Sequence, residues 1–199
     1  MERHLTPDRL QSVAPTLRHL DICGCKNVTN EMLQGCTKLE WLNASYTKVT
    51  WFPSTLYHLD IHGRKDITND MIQDCTKLEW LDISYTTITW FPSTLQHLDI
   101  SGCKDITNKM LQQVGTLEWL DVRGTKVTWF PSTLRHLDIY DRKDITNEML
   151  QGCVRLEWLD ASHTNVMWFP STLRHLDIYK RKDITNEMLI HLTDCEIIR

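Results

Sequence analysis

The sequence predicts an α/β solenoid: a parallel sheet on one face and short helices on every second rung of the other. Three observations predict it. Leu17, Leu56, Leu95, Leu134 and Leu173 recur every 39 residues, as do Leu39, Leu78, Leu117 and Leu156, and a fixed period of this size marks a stacked-repeat architecture. The unit is itself double, with 22 residues from Leu56 to Leu78 and 17 from Leu78 to Leu95; both halves open on L-x-x-L-x-[apolar], as in LYHLDI and LEWLDI. The halves then return differently, one with helix signals and one with a proline.

The strand comes first in each half. Apolar and polar residues alternating over five or six positions describe a short strand with one buried face, here Leu56, Leu59 and Ile61. One such strand cannot bury that face alone, but nine in succession can stack into a continuous parallel sheet, with right-handed connections between rungs. The longer half continues as ITNKMLQQV. Thr107 or Asn108 can cap a short helix there, and Met110, Leu111 and Val114 supply its apolar stripe. The shorter half continues as ITWFPSTL, too short for a helix and interrupted by Pro92, so it returns extended. FPST is then the corner that feeds each new strand, with Phe pointing inward and Pro fixing the bend.

One domain is expected over residues 1–199. Residues 1–16 form a helical cap, because LTPDRLQSVAPTL matches VTNEMLQGCTKL with Asp8 and Arg9 replacing more apolar neighbours. Residues 17–183 hold nine rungs. Residues 184–199 hold a last helix and an aborted tenth rung, Cys195 to Ile198 aligning with LEWL. An uncapped last rung so like the first invites end-to-end self-association.

These motifs resemble the leucine-rich repeat superfamily over essentially the whole chain. LQHLDISGCKDITNKMLQQV is similar to the cysteine-containing class, with Cys25 and Cys103 at its cysteine position and Arg64, Arg142 and Arg181 replacing it in the other copies. LEWLDISYTTITWFPST is similar to the short repeats of bacterial effectors, Phe-Pro standing for their Leu-Pro. The resemblance implies a leucine-rich repeat solenoid. It also implies one sharper function, since cysteine-containing repeats often serve as substrate-recognition parts of ubiquitin ligases, here through a separate adaptor.

Composition narrows the function classes. Apolar residues make up 41% and charged residues 24%, with a net charge of −4, so nothing draws the chain as a whole to nucleic acid or to an anionic membrane. The start MERHLTPDRLQSV lacks the apolar run of a signal peptide, and no segment approaches the ~18 apolar residues of a membrane span. Seven cysteines, an odd number recurring at repeat-equivalent places, fit free thiols in a reducing cytoplasm better than a disulfide framework. Cys23 and Cys25 form a C-x-C without the second pair that zinc requires, so neither metal nor cofactor is expected.

Third, fifth and seventh strand positions face outward onto the open sheet. The third reads His19, Trp41, His58, Trp80, His97, Trp119, His136, Trp158, His175; the fifth is Asp in every rung except Asn43. Aromatic surface, acid and imidazole together describe a binding stripe. The plainer reading is that L-D-[LI] is this family's usual phrase and that identical repeats make ladders automatically. Carboxylates ~4.8 Å apart repel, so the ladder histidines are expected to titrate above a free imidazole. A catalytic site needs one distinctive constellation, and every copy here is alike, so no enzyme is expected. A second column, Trp51, Trp90, Trp129 and Trp168, is expected to pack beside the helices.

Differences between copies concentrate at the seventh to ninth positions, ending in Tyr-Asp-Arg and Tyr-Lys-Arg. The expected function is a non-catalytic scaffold binding another protein on its open sheet. Its contact residues are Trp41, Trp80, Trp119, Trp158, His97, His136 and His175, with partner specificity from Tyr140, Arg142, Tyr179, Lys180 and Arg181. The alternative is a structural, self-assembling or idealised repeat protein without a ligand.

Overall fold

The computed structural model of the chain describes residues 7–199, with side chains from Leu10 onward; the substitutions at Asp8 and Arg9 lie outside the described side chains. The chain divides into two compact units, one ending at Leu95 and the other beginning at Gln96.

The first unit opens with helix α1 (Pro7–Val13) and a 3-10 turn (Ala14–Thr16). Strands β1 (His19–Asp21), β2 (Trp41–Asn43), β3 (His58–Asp60) and β4 (Trp80–Asp82) follow, with helix α2 (Asn30–Gln34) after β1 and α3 (Asn69–Ile72) after β3. Neighbouring strands are parallel and pair like with like: His19 with Trp41, Trp41 with His58, His58 with Trp80. The second unit contains β5 (His97–Asp99), β6 (Trp119–Asp121), β7 (His136–Asp138), β8 (Trp158–Asp160), β9 (His175–Asp177) and β10 (Glu196–Ile198). Helices α4 (Asn108–Leu111), α5 (Asn147–Leu150) and α6 (Asn186–Leu189) follow β5, β7 and β9. All its strand pairs are parallel.

The core is the leucine ladder expected from the pattern. Leu56, Leu59 and Ile61 in one unit, and Leu134, Leu137 and Ile139 in the other, are fully buried. The FPST corner works as its residues suggest. Phe52, Phe91, Phe130 and Phe169 are buried, and the Pro131 carbonyl accepts the Leu134 N–H at 3.2 Å, closing a turn. Thr133 Oγ1 then donates to the Leu117 carbonyl of the preceding rung at 2.5 Å; Thr55, Thr94 and Thr172 do the same in their copies. The second tryptophan column is less covered than expected: Trp51 is exposed and the other three are half-buried, because the adjacent Phe takes the inward place.

Asparagine at the helix start serves the following return rather than its own helix. Asn108 Oδ1 accepts the N–H groups of Thr128 and Trp129, and its Nδ2 donates to Thr128 Oγ1. Asn30 and Asn69 repeat the arrangement. The extended return has no strand partner of its own, so this side chain satisfies backbone donors that would otherwise be orphaned.

The tenth rung is shifted by one residue from the sequence alignment. Glu196, not Ile197, pairs with His175, and Ile197 pairs with Leu176. Following the 39-residue period would have put Ile197 in the open-face place of Trp158. The slip exchanges faces, turning Ile197 toward the core and Glu196 onto His175, 3.3 Å away.

Candidate functional site

The outward residues are set by the strand pleat, and each column has its own physical character. In the first unit Trp41, His58 and Trp80 stack, with centroids 4.9 and 3.7 Å apart. In the second, His97, Trp119, His136, Trp158 and His175 form a run of stacked rings at 6.4, 4.9, 3.8 and 5.2 Å. A parallel ladder in register brings equivalent side chains about 4.8 Å apart, close to the spacing at which offset rings attract. Each ring is half-buried: its faces lie against neighbouring rings and its edges meet solvent.

The aspartate column is largely architectural. In all nine rungs the side-chain oxygen of the fifth residue accepts the N–H two residues on, as from Ser101 to Asp99 and Tyr140 to Asp138. Asn43 makes the same bond to Ser45 N–H at 3.0 Å, so the turn needs an oxygen and not a charge. Arg123, at the seventh position beside this column, bonds Asp121 at 2.7 Å and lies 3.3 Å from Asp138.

The expected upward shift of the histidines is overturned at His136. Burial between tryptophans, helped by His175 and His97, lowers it to about 4. The carboxylates do not hold a proton on it, because they are themselves desolvated; burial and Asp121 push Asp138 up to about 7. Burial likewise raises Asp82 and Asp160.

Arg142 and Arg181, expected on the open edge, are withdrawn from it, at 4% and 8% exposure. The eighth residue of these turns has left-handed backbone, with φ of 57° at Asp141 and 61° at Lys180, and this aims the ninth side chain into the stack. Arg142 donates to the Val122 and Val127 carbonyls, to Thr125 Oγ1 and to both oxygens of Asp144. Arg64 and Arg181 repeat the set. Arginine thus fills the place that buried Cys103 holds and joins two rungs. The sequence carried a signal for this turn: the eighth position is glycine at residues 24, 63, 102 and 124, all with positive φ.

The same backbone turn exposes Tyr46 and Tyr85 and leaves His163 half-buried; all three share that conformation. Sequence reasoning did not nominate them. Tyr46 and Tyr85 meet His62 edge-on in the first unit. Tyr140 and Tyr179 bracket His163 in the second, and Lys180 lies 4.9 Å from the Tyr179 ring centre. A second aromatic row therefore edges the strands of each unit. Trp41 and Trp80 belong to one unit, and Trp119, Trp158, His97, His136, His175, Tyr140, Tyr179 and Lys180 to the other.

With this geometry in view, the comparisons agree. The family model described as leucine-rich repeat matches residues 92–109, and the fold matches solved repeat structures throughout. The chain has the leucine-rich repeat fold. An internalin (inlF) of Listeria monocytogenes is similar with a TM-score of 0.68 at 18% identity, over 98% of this chain and 62% of that one. The chain therefore spans under two thirds of that relative's length. In the Drosophila Toll–Spatzle complex the TM-score is 0.67 at 12% identity, over 98% and 31% of the two chains. In a TLR13–ssRNA13 complex it is 0.56 at 16%, over 96% and 34%. No curated protein is similar to the chain in sequence.

Proposed function

We propose that this leucine-rich repeat protein is a non-catalytic scaffold that binds another protein across its open sheet. The observation that carries this reading is the run of stacked, half-exposed rings from His97 to His175. Rings already locked against one another lose little freedom on binding, and tryptophan and tyrosine are the side chains that dominate protein interfaces. Trp41 and Trp80 play the equivalent part in the first unit, and Tyr140 and Tyr179 supply specificity at the edge of the second. A protein suits this surface better than RNA: five carboxylates run beside the second unit's rings with one arginine among them, and phosphates are repelled by such a column. The Toll–Spatzle complex gives the fold a protein-binding precedent.

Among the described residues no helix is long and apolar enough to cross a membrane. Cys36, Cys75 and Cys153 are buried thiols, which favours a reducing, intracellular setting.

The test is affinity capture with wild type against a Trp119→Ala/Trp158→Ala variant, with melting followed in parallel. The variant should retain a specific partner about tenfold less or worse. Equal recovery of every partner by a folded variant would favour the purely structural reading.

A further inference from the structure

A hollow lies at the end of β9, beside a turn whose charges differ from those of its preceding copy. It measures about 410 Å³ and is lined by Tyr179, Lys180, Arg181, Lys182, Ile184 and Arg199. Ile184 is buried at its base, and Arg199 Nη2 is tied to Asn186 Oδ1 at 2.8 Å. The preceding copy of the same turn is an internal control. There the sequence is Tyr140-Asp141-Arg142-Lys143-Asp144, and Lys143 lies 3.8 Å from Asp141, so its charge is answered. In the later copy Lys180 stands where Asp141 stood. Asp183 is occupied by Arg181, which donates to both its oxygens. No ion pair among the described residues involves Lys180 or Lys182. Two lysines and two tied arginines thus surround an apolar floor, on a chain whose net charge is negative.

We propose that this hollow receives the carboxylate side chain of an acidic segment in a protein partner, with an apolar neighbour of that carboxylate resting on Tyr179 and Ile184. Charge complementarity selects the sign of the occupant. The kind of cation selects its chemistry. A phosphate is gripped best by a free planar guanidinium; that of Arg181 is spent inside the stack and that of Arg199 is turned onto Asn186, which leaves two lysine ammoniums, point charges that suit a single carboxylate. This inference rests on the reading that the sheet meets a protein, since the Tyr179 ring also belongs to the aromatic edge beside His163.

Fluorescence anisotropy at low salt on the full chain tests it, using a labelled peptide of alternating Glu and Leu, its Lys/Leu counterpart and inorganic phosphate. The acidic peptide should bind wild type and the basic one should not. Lys180→Asp should weaken the acidic peptide about five- to tenfold. This variant keeps its backbone, because Asp141 already holds the same conformation. No binding to wild type, undiminished binding to Lys180→Asp, or equal displacement by phosphate at the peptide's own concentration would each overturn the proposal. Trp119→Ala/Trp158→Ala should leave peptide binding intact. Failure of the lysine arm with loss of partner capture by the tryptophan variant sinks this site alone, whereas the reverse result sinks the reading of the sheet face.

Discussion

At Asp138 the carboxyl is pushed up to about 7 because burial strips it of water and Asp121 adds like charge; the Tyr140 N–H and Arg123 offset only part of this. A carboxyl with a raised folded value binds its proton more tightly in the native state. Its stabilising contribution is therefore complete below ~4, the unfolded value, and is lost as pH climbs to about 7. His136 works in the opposite direction. Lowered to about 4, it contributes fully above ~6.5 and loses that contribution as pH falls through 4. Asn43 already fills the place of Asp138 in another rung with its turn intact. Asp138→Asn should therefore raise the melting temperature at pH 8 by roughly 2–6 °C. The gain should shrink toward pH 5, where the wild-type carboxyl is already neutral. Thermal scans at both pH values check this, and an equal gain at each would count against it.

Among the elements, the arginine turns do what a longer helix does elsewhere. The α4, α5 and α6 helices are one turn long, too short to be stable by themselves, so their rungs depend on side chains that cross between them. Arg142 supplies such a link with a nearly buried guanidinium that meets two carbonyls, a hydroxyl and a carboxylate. Arg142→Ala should cost about 3–5 kcal/mol, since it leaves a void and unpaired carbonyls. Arg142→Cys should cost distinctly less, because Cys103 closes the equivalent turn. Urea unfolding of both variants decides it; equal losses would show that the turn does not accept cysteine in this rung. The burial was not legible in the sequence because tyrosine, lysine and arginine in succession look like an exposed edge. The left-handed eighth residue, visible only as glycine in other copies, turns the third of them inward.

For the molecule as a whole, stability in a stacked chain is approximately a sum over rungs and the interfaces between them. Deleting residues 118–156, one full period inside the second unit, should leave a folded protein with a lower unfolding midpoint. Deleting residues 118–134 alone, one short half, should be far more damaging. It would set two helix-bearing returns on adjacent rungs, with ~4.8 Å between strands but 8–10 Å needed between packed helices. Circular dichroism and denaturant titration of the two deletions compare them. A short deletion as stable as the long one would refute the pairing of unequal halves.

Periodicity by itself determined the rungs, the inward leucines, the FPST corners and the outward columns, because a 39-residue repeat with two-residue alternation leaves only one face to bury. The tertiary structure decided what those columns became. Stacking turned His136 from an expected cation into a desolvated ring, and a hydrogen bond made the aspartates turn anchors as well as a charged column. At the last rung, Ile197 chose the core over the period. In each case the outcome hangs on water excluded by the neighbouring rung, and no single repeat carries that information.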